Sequence, residues 1–455
     1  MNQSPSIPKR ISTAILQSLG AGVVPRVGLE YIAVGRKDEI ATLLHDLDEV
    51  VADGGASFRI VLGKYGSGKS FLCQLVRNYA LARNFVVADA DLSPTLRLTG
   101  TQGQGLALYR ALVNALSTRT RPDGNAFAAI LERWINDLQS SVVQSGISPT
   151  APEFSAAVEQ KIHAVINQME GMVHGFDFAT VLTAYWHGYQ HGDETQKSAA
   201  LRWLRGEYNL KTEARDALGV RVIIDDDTWY DYLKLLARFV TDIGYKGLVV
   251  FIDEAVNLYK ISNTIARNNN YERLLTILND ALQGKAQSIG FIFGATPQMV
   301  EDRQRGLFGY EALRTRLEES RYANAHSDLR DLSSPMIRLN VLSFEEIFVL
   351  LQHIREIHSG HYGYPITITD AQIKLLIDKA LTRIGAEQLL TPREVVRDFV
   401  SILNILHDNP GQTFETLVGQ LAAEPLPVLD PEQVSTDTES TDDSVLNPTF
   451  RSFTL

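Results

Sequence analysis

One stretch restricts the fold more than any other: Gly63-Lys64-Tyr65-Gly66-Ser67-Gly68-Lys69-Ser70. It fits the pattern G-x-x-x-x-G-K-[ST], with Gly63, Gly68, Lys69 and Ser70 at the fixed places. Glycines let the backbone curl so that successive N–H groups face one anion, which a side chain would obstruct. The pattern calls for a strand entering and a helix leaving, and both are present. Phe58 to Leu62 is an apolar run suited to a buried parallel strand. Ser70 to Arg83 reads as a helix with Leu72, Leu75, Val76 and Tyr79 on one side. The helix dipole adds to the same anion. Nucleotide binding follows, with ATP and Mg²⁺ as the expected ligands. Lys69 would reach the β- and γ-phosphates, Ser70 would hold the metal, and Lys64, Tyr65, Gly66, Ser67 and Phe71 would line the loop.

A chain of 455 residues predicts two or three domains. Hydrophobic content of 45% with 21% charged residues marks a globular protein. No apolar run reaches the roughly 18 residues of a membrane span, and the first ten residues lack the apolar core of a signal peptide. The lone cysteine, Cys73, cannot form an internal disulfide and reads as a small core residue, which suits a reducing cytoplasm. Net charge is −11, of which Glu424 to Asp443 carry seven acids and no Lys or Arg, leaving −11 + 7 = −4 for the rest. A broad electrostatic grip on nucleic acid is disfavoured; a local basic patch is not.

The second decisive stretch is Leu248-Val249-Val250-Phe251-Ile252-Asp253-Glu254, a buried strand ending in two acids. Downstream of a phosphate loop, Asp253 is placed to hold Mg²⁺ and Glu254 to polarise an attacking water. A further strand, Ile289 to Ala295, ends in Thr296, which either contacts that water or starts the turn at Pro297. Gly309 to Leu317 then offers Arg314 and Arg316, with Arg321 beyond. One of them, Arg316 first, can act as a finger in a neighbouring subunit's site; the alternative is an ordinary surface cation. Met336 to Leu342 reads as a fifth strand. Ser343 caps a helical region, within which Thr391 and Pro392 start a helix carrying Arg393. That arginine either reaches back to the phosphates or lies on the helix surface.

Elsewhere the reading is thinner. Gly35 and Arg36 open a helix with Ile40, Leu43, Leu44 and Leu47 inward, where a Gly-Arg-x-x-Glu turn either packs on adenine or begins a surface helix. Asp89 and Asp91 end a strand from Phe85 to Leu92, where ligands gather, or else cap the next segment. Residues 97–246 read as long helices, among them 105–117, 125–138 and 153–172. His187 and His191 share a helix face, and His353, His358 and His361 form a looser group. Neither has the frame of a zinc site, and ordinary helix histidines are the expected reading. From Pro425 onward the composition predicts a disordered acidic tail, ending in Phe450 to Leu455, a docking peptide or a free end.

Taken together, several segments resemble the ATP-binding proteins of BREX-type phage-defence loci, the BrxD-like group. They are the run up to Gly35-Arg36, the phosphate loop, Trp203 to Glu207, Val249 to Glu254, Gly294 to Pro297, Tyr310 to Leu317 and Leu390 to Phe399. The resemblance spans most of residues 15–410. It implies an α/β AAA+ fold with a five-stranded parallel sheet, a large helical insertion and a helical lid or winged-helix-like domain. The boundaries read as 1–96 and 247–342 for the ATPase halves, 97–246 for the insertion, 343–424 for the lid and 425–455 for the tail. Thr296 would be a first sensor, Arg316 a trans finger and Arg393 a second sensor. ATP hydrolysis, a homo-oligomer, a helicase or similar partner and DNA are further implications.

Overall fold

The computed structural model describes residues 7–169, 171–318, 331–381 and 391–423. Its centre is a five-stranded sheet, parallel throughout, in the order β2-β3-β4-β1-β5. The strands are β1 (Ala56–Leu62), β2 (Val86–Asp91), β3 (Leu248–Asp253), β4 (Ile289–Ala295) and β5 (Met336–Arg338). Because successive residues of a strand face opposite sides, both sides need cover. Ile60, Leu62, Val250 and Phe291 enter one core. Val61, Val87, Val249 and Ile292 enter another, against Leu43, Leu47, Leu72 and Val76. These run-on apolar strands are the signature that the sequence carried.

Helix α1 (Lys9–Gly20) precedes the sheet, α2 (Lys37–His45) leads into it through a π-turn at Asp46–Val51, and α3 (Lys69–Ala82) follows the phosphate loop. Between β2 and β3 run α4 (Gln104–Asn114), α5 (Phe127–Gln144), α6 (Phe154–Asn167), α7 (Gly175–His191), α8 (Glu194–Leu204), α9 (Lys211–Leu218) and α10 (Trp229–Asp242). Their apolar faces share one continuous core with the sheet, filled by Trp134, Trp186, Trp203 and Trp229. Then come α11 (Val256–Tyr259), α12 (Thr264–Leu282), α13 (Pro297–Glu301) and α14 (Glu311–Leu317).

The last described helices are α15 (Phe344–Tyr362), α16 (Asp370–Leu381), α17 (Pro392–Asp408) and α18 (Phe414–Ala423). They pack with α1 around Ile15, Leu16, Leu351, Phe399 and Val400, and Leu75 of α3 joins the same cluster. Helix α1 and these four helices therefore form one body that rests on the phosphate-loop helix. Ser343 caps α15 and Thr391 caps α17, each in a box with the glutamate three residues on.

Several elements end elsewhere than expected: α5 runs on to Gln144 rather than residue 138, and α6 stops at Asn167 rather than residue 172. The fifth strand stops at Arg338 rather than Leu342. Leu339 N–H makes the last bond, 2.7 Å to the Leu62 carbonyl, and the Asn340 carbonyl turns instead to the Arg36 guanidinium. Expected to reach residue 117, α4 ends at Asn114, because Ser117 exchanges backbone bonds of 2.7 and 3.0 Å with Val87 and covers the edge of β2. Arg321, Leu390 and the tail from Pro425 to Leu455 lie outside the described residues.

Candidate nucleotide-binding site

The site is assembled at the carboxyl ends of three adjacent strands, where open α/β sheets place ligands. β1 delivers the phosphate loop, β3 delivers Asp253 and Glu254, and β4, lying between them, delivers Thr296. Gly66 and Gly68 take left-handed backbone angles, φ +77° and +91°, which let the loop wrap. The amides of Tyr65, Gly66 and Gly68 donate to no described residue, so their donors stay available in the loop. Lys69 Nζ donates to the carbonyls of Gly63 (2.9 Å) and Lys64 (3.0 Å). Ser70 Oγ donates to Asp253 Oδ2 at 2.7 Å.

The acid pair is held with little slack. Asp253 Oδ1 accepts from Glu254 N–H at 2.8 Å. Glu254 takes a left-handed φ of +53°, uncommon for a side-chain-bearing residue, at the turn that presents it. Asn257 locks this turn: its Nδ2 donates to the carbonyls of Leu92 (2.7 Å) and Glu254 (3.2 Å). Gly294 of β4 faces Asp253 so closely that a Cβ there would lie 2.1 Å from Oδ1.

A cavity of about 630 Å³ opens over the loop, within the usual range for small-molecule sites. Its polar end holds Lys69, Ser70, Asp253, Glu254 and Thr296. Its apolar end is built by Leu19 at the end of α1, by Val23, Val24 and Pro25 after it, by Ile32 and Val34, and by Leu342, Leu350 and Val396. The helical body reaches the loop directly. Thr391 sits where a Cβ on Gly66 would be, 2.6 Å from that position, and Arg393 donates to the Tyr65 hydroxyl at 3.0 Å.

Burial and crowding shape the charges. Burial pushes the Glu254 carboxyl above the usual range, and the carboxylates of Asp253 and Asp91 add to this; Lys69 and Lys260 oppose it. Burial also lowers Lys69, against the pull of Asp253 and Glu254. Asp91 is raised by burial and then by Asp253 and Asp89, with Arg26 opposing. The donor set is a hydroxyl, a carboxylate, backbone amides and an ammonium. Such hard oxygen and nitrogen groups suit a polyphosphate and an oxygen-loving divalent cation. A family model described as BREX system ATP-binding protein BrxC/D matches residues 7–421. The chain belongs to this family. No curated protein matches it significantly.

As a BREX ATP-binding protein of the BrxC/D family, the chain is an ATP-binding protein of a phage-defence system. The residues that its sequence singled out are distributed unevenly. Tyr65, Gly66, Ser67, Gly68, Lys69, Ser70 and Phe71 line the cavity, as do Asp253, Glu254 and Thr296. Arg36 and Arg393 line it from the flanks. The Arg36 guanidinium donates to the Ser67 carbonyl (3.2 Å), so it braces the loop. Gly63 and Lys64 do not line the cavity; they contribute the carbonyls that hold Lys69. Gly35 lies outside it, against the Glu346 carboxylate. Thr296 also caps α13, accepting from Met299 N–H at 3.4 Å.

Arg316 is not in this cavity. It is exposed on α14, and its guanidinium donates to the Ala312 carbonyl of its own helix (2.8 Å). Arg314 lies 3.9 Å from Glu311. Asp89 pairs with the buried Arg77 (2.8 Å), whereas Asp91 faces the acids of the site. Cys73 is half-buried, and burial raises its thiol. His191 bonds the His187 carbonyl, His358 lies between Tyr364 and Asn404, and His361 meets Ser12. Sequence reasoning missed Asn257, Gly294 and Lys260. Asn257 and Lys260 lie three and six residues beyond Glu254, a proximity that was the only signal available.

No helix among the described residues is long and apolar enough to cross a membrane.

Proposed function

We propose that this protein hydrolyses ATP with Mg²⁺, and that its conformational cycle loads or remodels a DNA-processing partner such as a helicase in phage defence. The observation that carries the hydrolytic reading is the Ser70–Asp253 contact of 2.7 Å with Glu254 locked beside Asp253 at the tip of the same strand. A hydroxyl and a carboxylate in contact are the donors that a nucleotide-bound Mg²⁺ takes from such sites, where it neutralises phosphate charge. Lys69 would hold the phosphates and Glu254 would orient and deprotonate the attacking water. Thr296, on the strand between them, would hydrogen-bond that water or the terminal phosphate. Arg393 would reach the phosphates from the helical body.

The exposed position of Arg316, outside its own chain's cavity, supports a role across a subunit boundary in a homo-oligomer. The lid-like body from residue 343 onward supports a nucleotide-dependent movement. Glu254→Gln tests the core of the reading: ATP binding should persist while turnover falls by about 100-fold or more. Surviving turnover would remove Glu254 as the base. Mixing Glu254→Gln with Arg316→Ala subunits would restore some activity only if the arginine acts in trans. Turnover measured with and without duplex DNA separates a DNA-coupled enzyme from a nucleotide-gated scaffold, for which the response is flat.

A further inference from the structure

Among the described residues, four cations line the cavity: Arg36, Lys69, Lys260 and Arg393. Three are engaged within the protein. Arg36 holds the Ser67 carbonyl, Lys69 holds those of Gly63 and Lys64, and Arg393 holds the Tyr65 hydroxyl. The ammonium of Lys260 makes no hydrogen bond or ion pair with any described residue. Its backbone, by contrast, is pinned on both sides. Lys260 N–H donates to the Val256 carbonyl at 3.1 Å. Just before it, Tyr259 donates its hydroxyl to Asp302 (2.8 Å) and receives Arg305 on its carbonyl (3.4 Å). Just after it, the Ile261 carbonyl accepts from the buried Arg267 (2.8 Å).

Lys260 is exposed at the cavity wall, with a fixed backbone, a flexible stem and an unpaired head, so its ammonium is available as a donor to a ligand in the cavity; its charge also acts on Glu254. Geometry puts it beside Glu254: Lys260 follows α11, the single turn just after Glu254, and lines the same cavity as Glu254 and Val256. We propose that Lys260 contacts the terminal phosphate of a bound nucleoside triphosphate, so that the site distinguishes triphosphate from diphosphate within one chain. The proposal rests on the reading above, in which the loop amides and Lys69 hold the nucleotide with its terminal phosphate toward Glu254. A lysine suits the task, since three rotatable donors on a flexible stem can follow a tetrahedral phosphate. A diphosphate ends short of that position and leaves Lys260 solvated.

The test compares ATP and ADP affinities of the full chain, with Mg²⁺, by titration calorimetry for Lys260→Ala and Lys260→Arg. Losing one charge-assisted contact predicts ATP binding about 10- to 100-fold weaker in Lys260→Ala. ADP binding should change by less than about 2-fold, and Lys260→Arg should recover part of the ATP loss. Equal weakening of both nucleotides would show that Lys260 only shapes the site, and no change in either would make it a surface cation. Both results overturn the proposal. Lys69→Ala serves as the reference: if it retains both nucleotides, the loop reading itself fails, and Lys260 falls with it. Thermal melting of each variant confirms that the fold is intact.

Discussion

Replacing Gly294 by alanine isolates the placement of Asp253 from every other feature of the site. Gly294 lies in the buried central strand β4 and has no positive φ, so alanine is compatible with its backbone. In a strand, alanine is favoured over glycine by about 0.5–1 kcal/mol. The added Cβ, however, would stand 2.1 Å from Asp253 Oδ1 and 3.0 Å from its carboxyl carbon. Ordinary contact needs roughly 3.4 Å or more, so the carboxylate must swing away by about 1 Å. Such a movement breaks the 2.8 Å bond to Glu254 N–H and the 2.7 Å bond from Ser70. Each is a charge-assisted bond contributing about 1.5–3 kcal/mol, and misplacement by ~1 Å in an active site can slow chemistry by about 100-fold. The expected variant folds, melts close to the parent and binds ATP, but turns over about 100-fold more slowly in a phosphate-release assay. Wild-type turnover in Gly294→Ala would refute the reasoning, because it would mean that the position of Asp253 is immaterial. A large drop in melting temperature would instead show that the strand, and not the carboxylate, had yielded.

Two further substitutions probe the scaffold. Asp46 and Arg59 form a buried bidentate pair, 2.6 and 2.8 Å, that ties the phosphate-loop strand to the π-turn. Asp46→Ala leaves the guanidinium buried with only backbone carbonyls and should destabilise the protein by about 3–5 kcal/mol in urea unfolding; a loss below about 1 kcal/mol would contradict this. His358 is fully buried, and burial lowers its pKa, with His407 and His361 adding to the effect while Asn404 and Asp408 oppose it. Its folded pKa lies below the unfolded value of about 6.5, so its share of stability is complete above that pH. That share is lost as the pH falls from 6.5 through the folded value. Melting temperature should therefore decline over that acid window, and His358→Gln should flatten the decline; an unchanged slope would refute the assignment.

Those parts of the fold that depend on local pattern were legible in the sequence. Five apolar runs gave five strands, because strands buried on both faces need no alternation and stand out as solid blocks. Only their ends moved. The fifth strand is short because it lies at the sheet edge, with β1 as its sole partner among the described residues, and Arg36 takes the next carbonyl. The helix from Gln104 stops early because Ser117 finds a bonding partner in Val87, remote in sequence. Neither event leaves a trace in residue spacing.

In the site, legibility followed the same divide. The loop and the two acids were readable because each belongs to a short motif whose chemistry dictates its spacing. Long-range packing decides the rest. Gly66 fills a variable place in the motif, yet its neighbour is Thr391, and a methyl at that glycine would collide with the start of α17. Tyr65 likewise meets Arg393, and Ser67 meets Arg36. Three consecutive loop residues thus touch two remote parts of the chain, Tyr65 and Gly66 the start of α17 and Ser67 the segment before α2. The unpaired loop amides belong to the backbone braced by these contacts. Gly66 and Thr391 are thus two residues whose packing, not whose chemistry, ties the loop to the helical body, and Gly66→Ala should disturb that contact without removing a phosphate ligand.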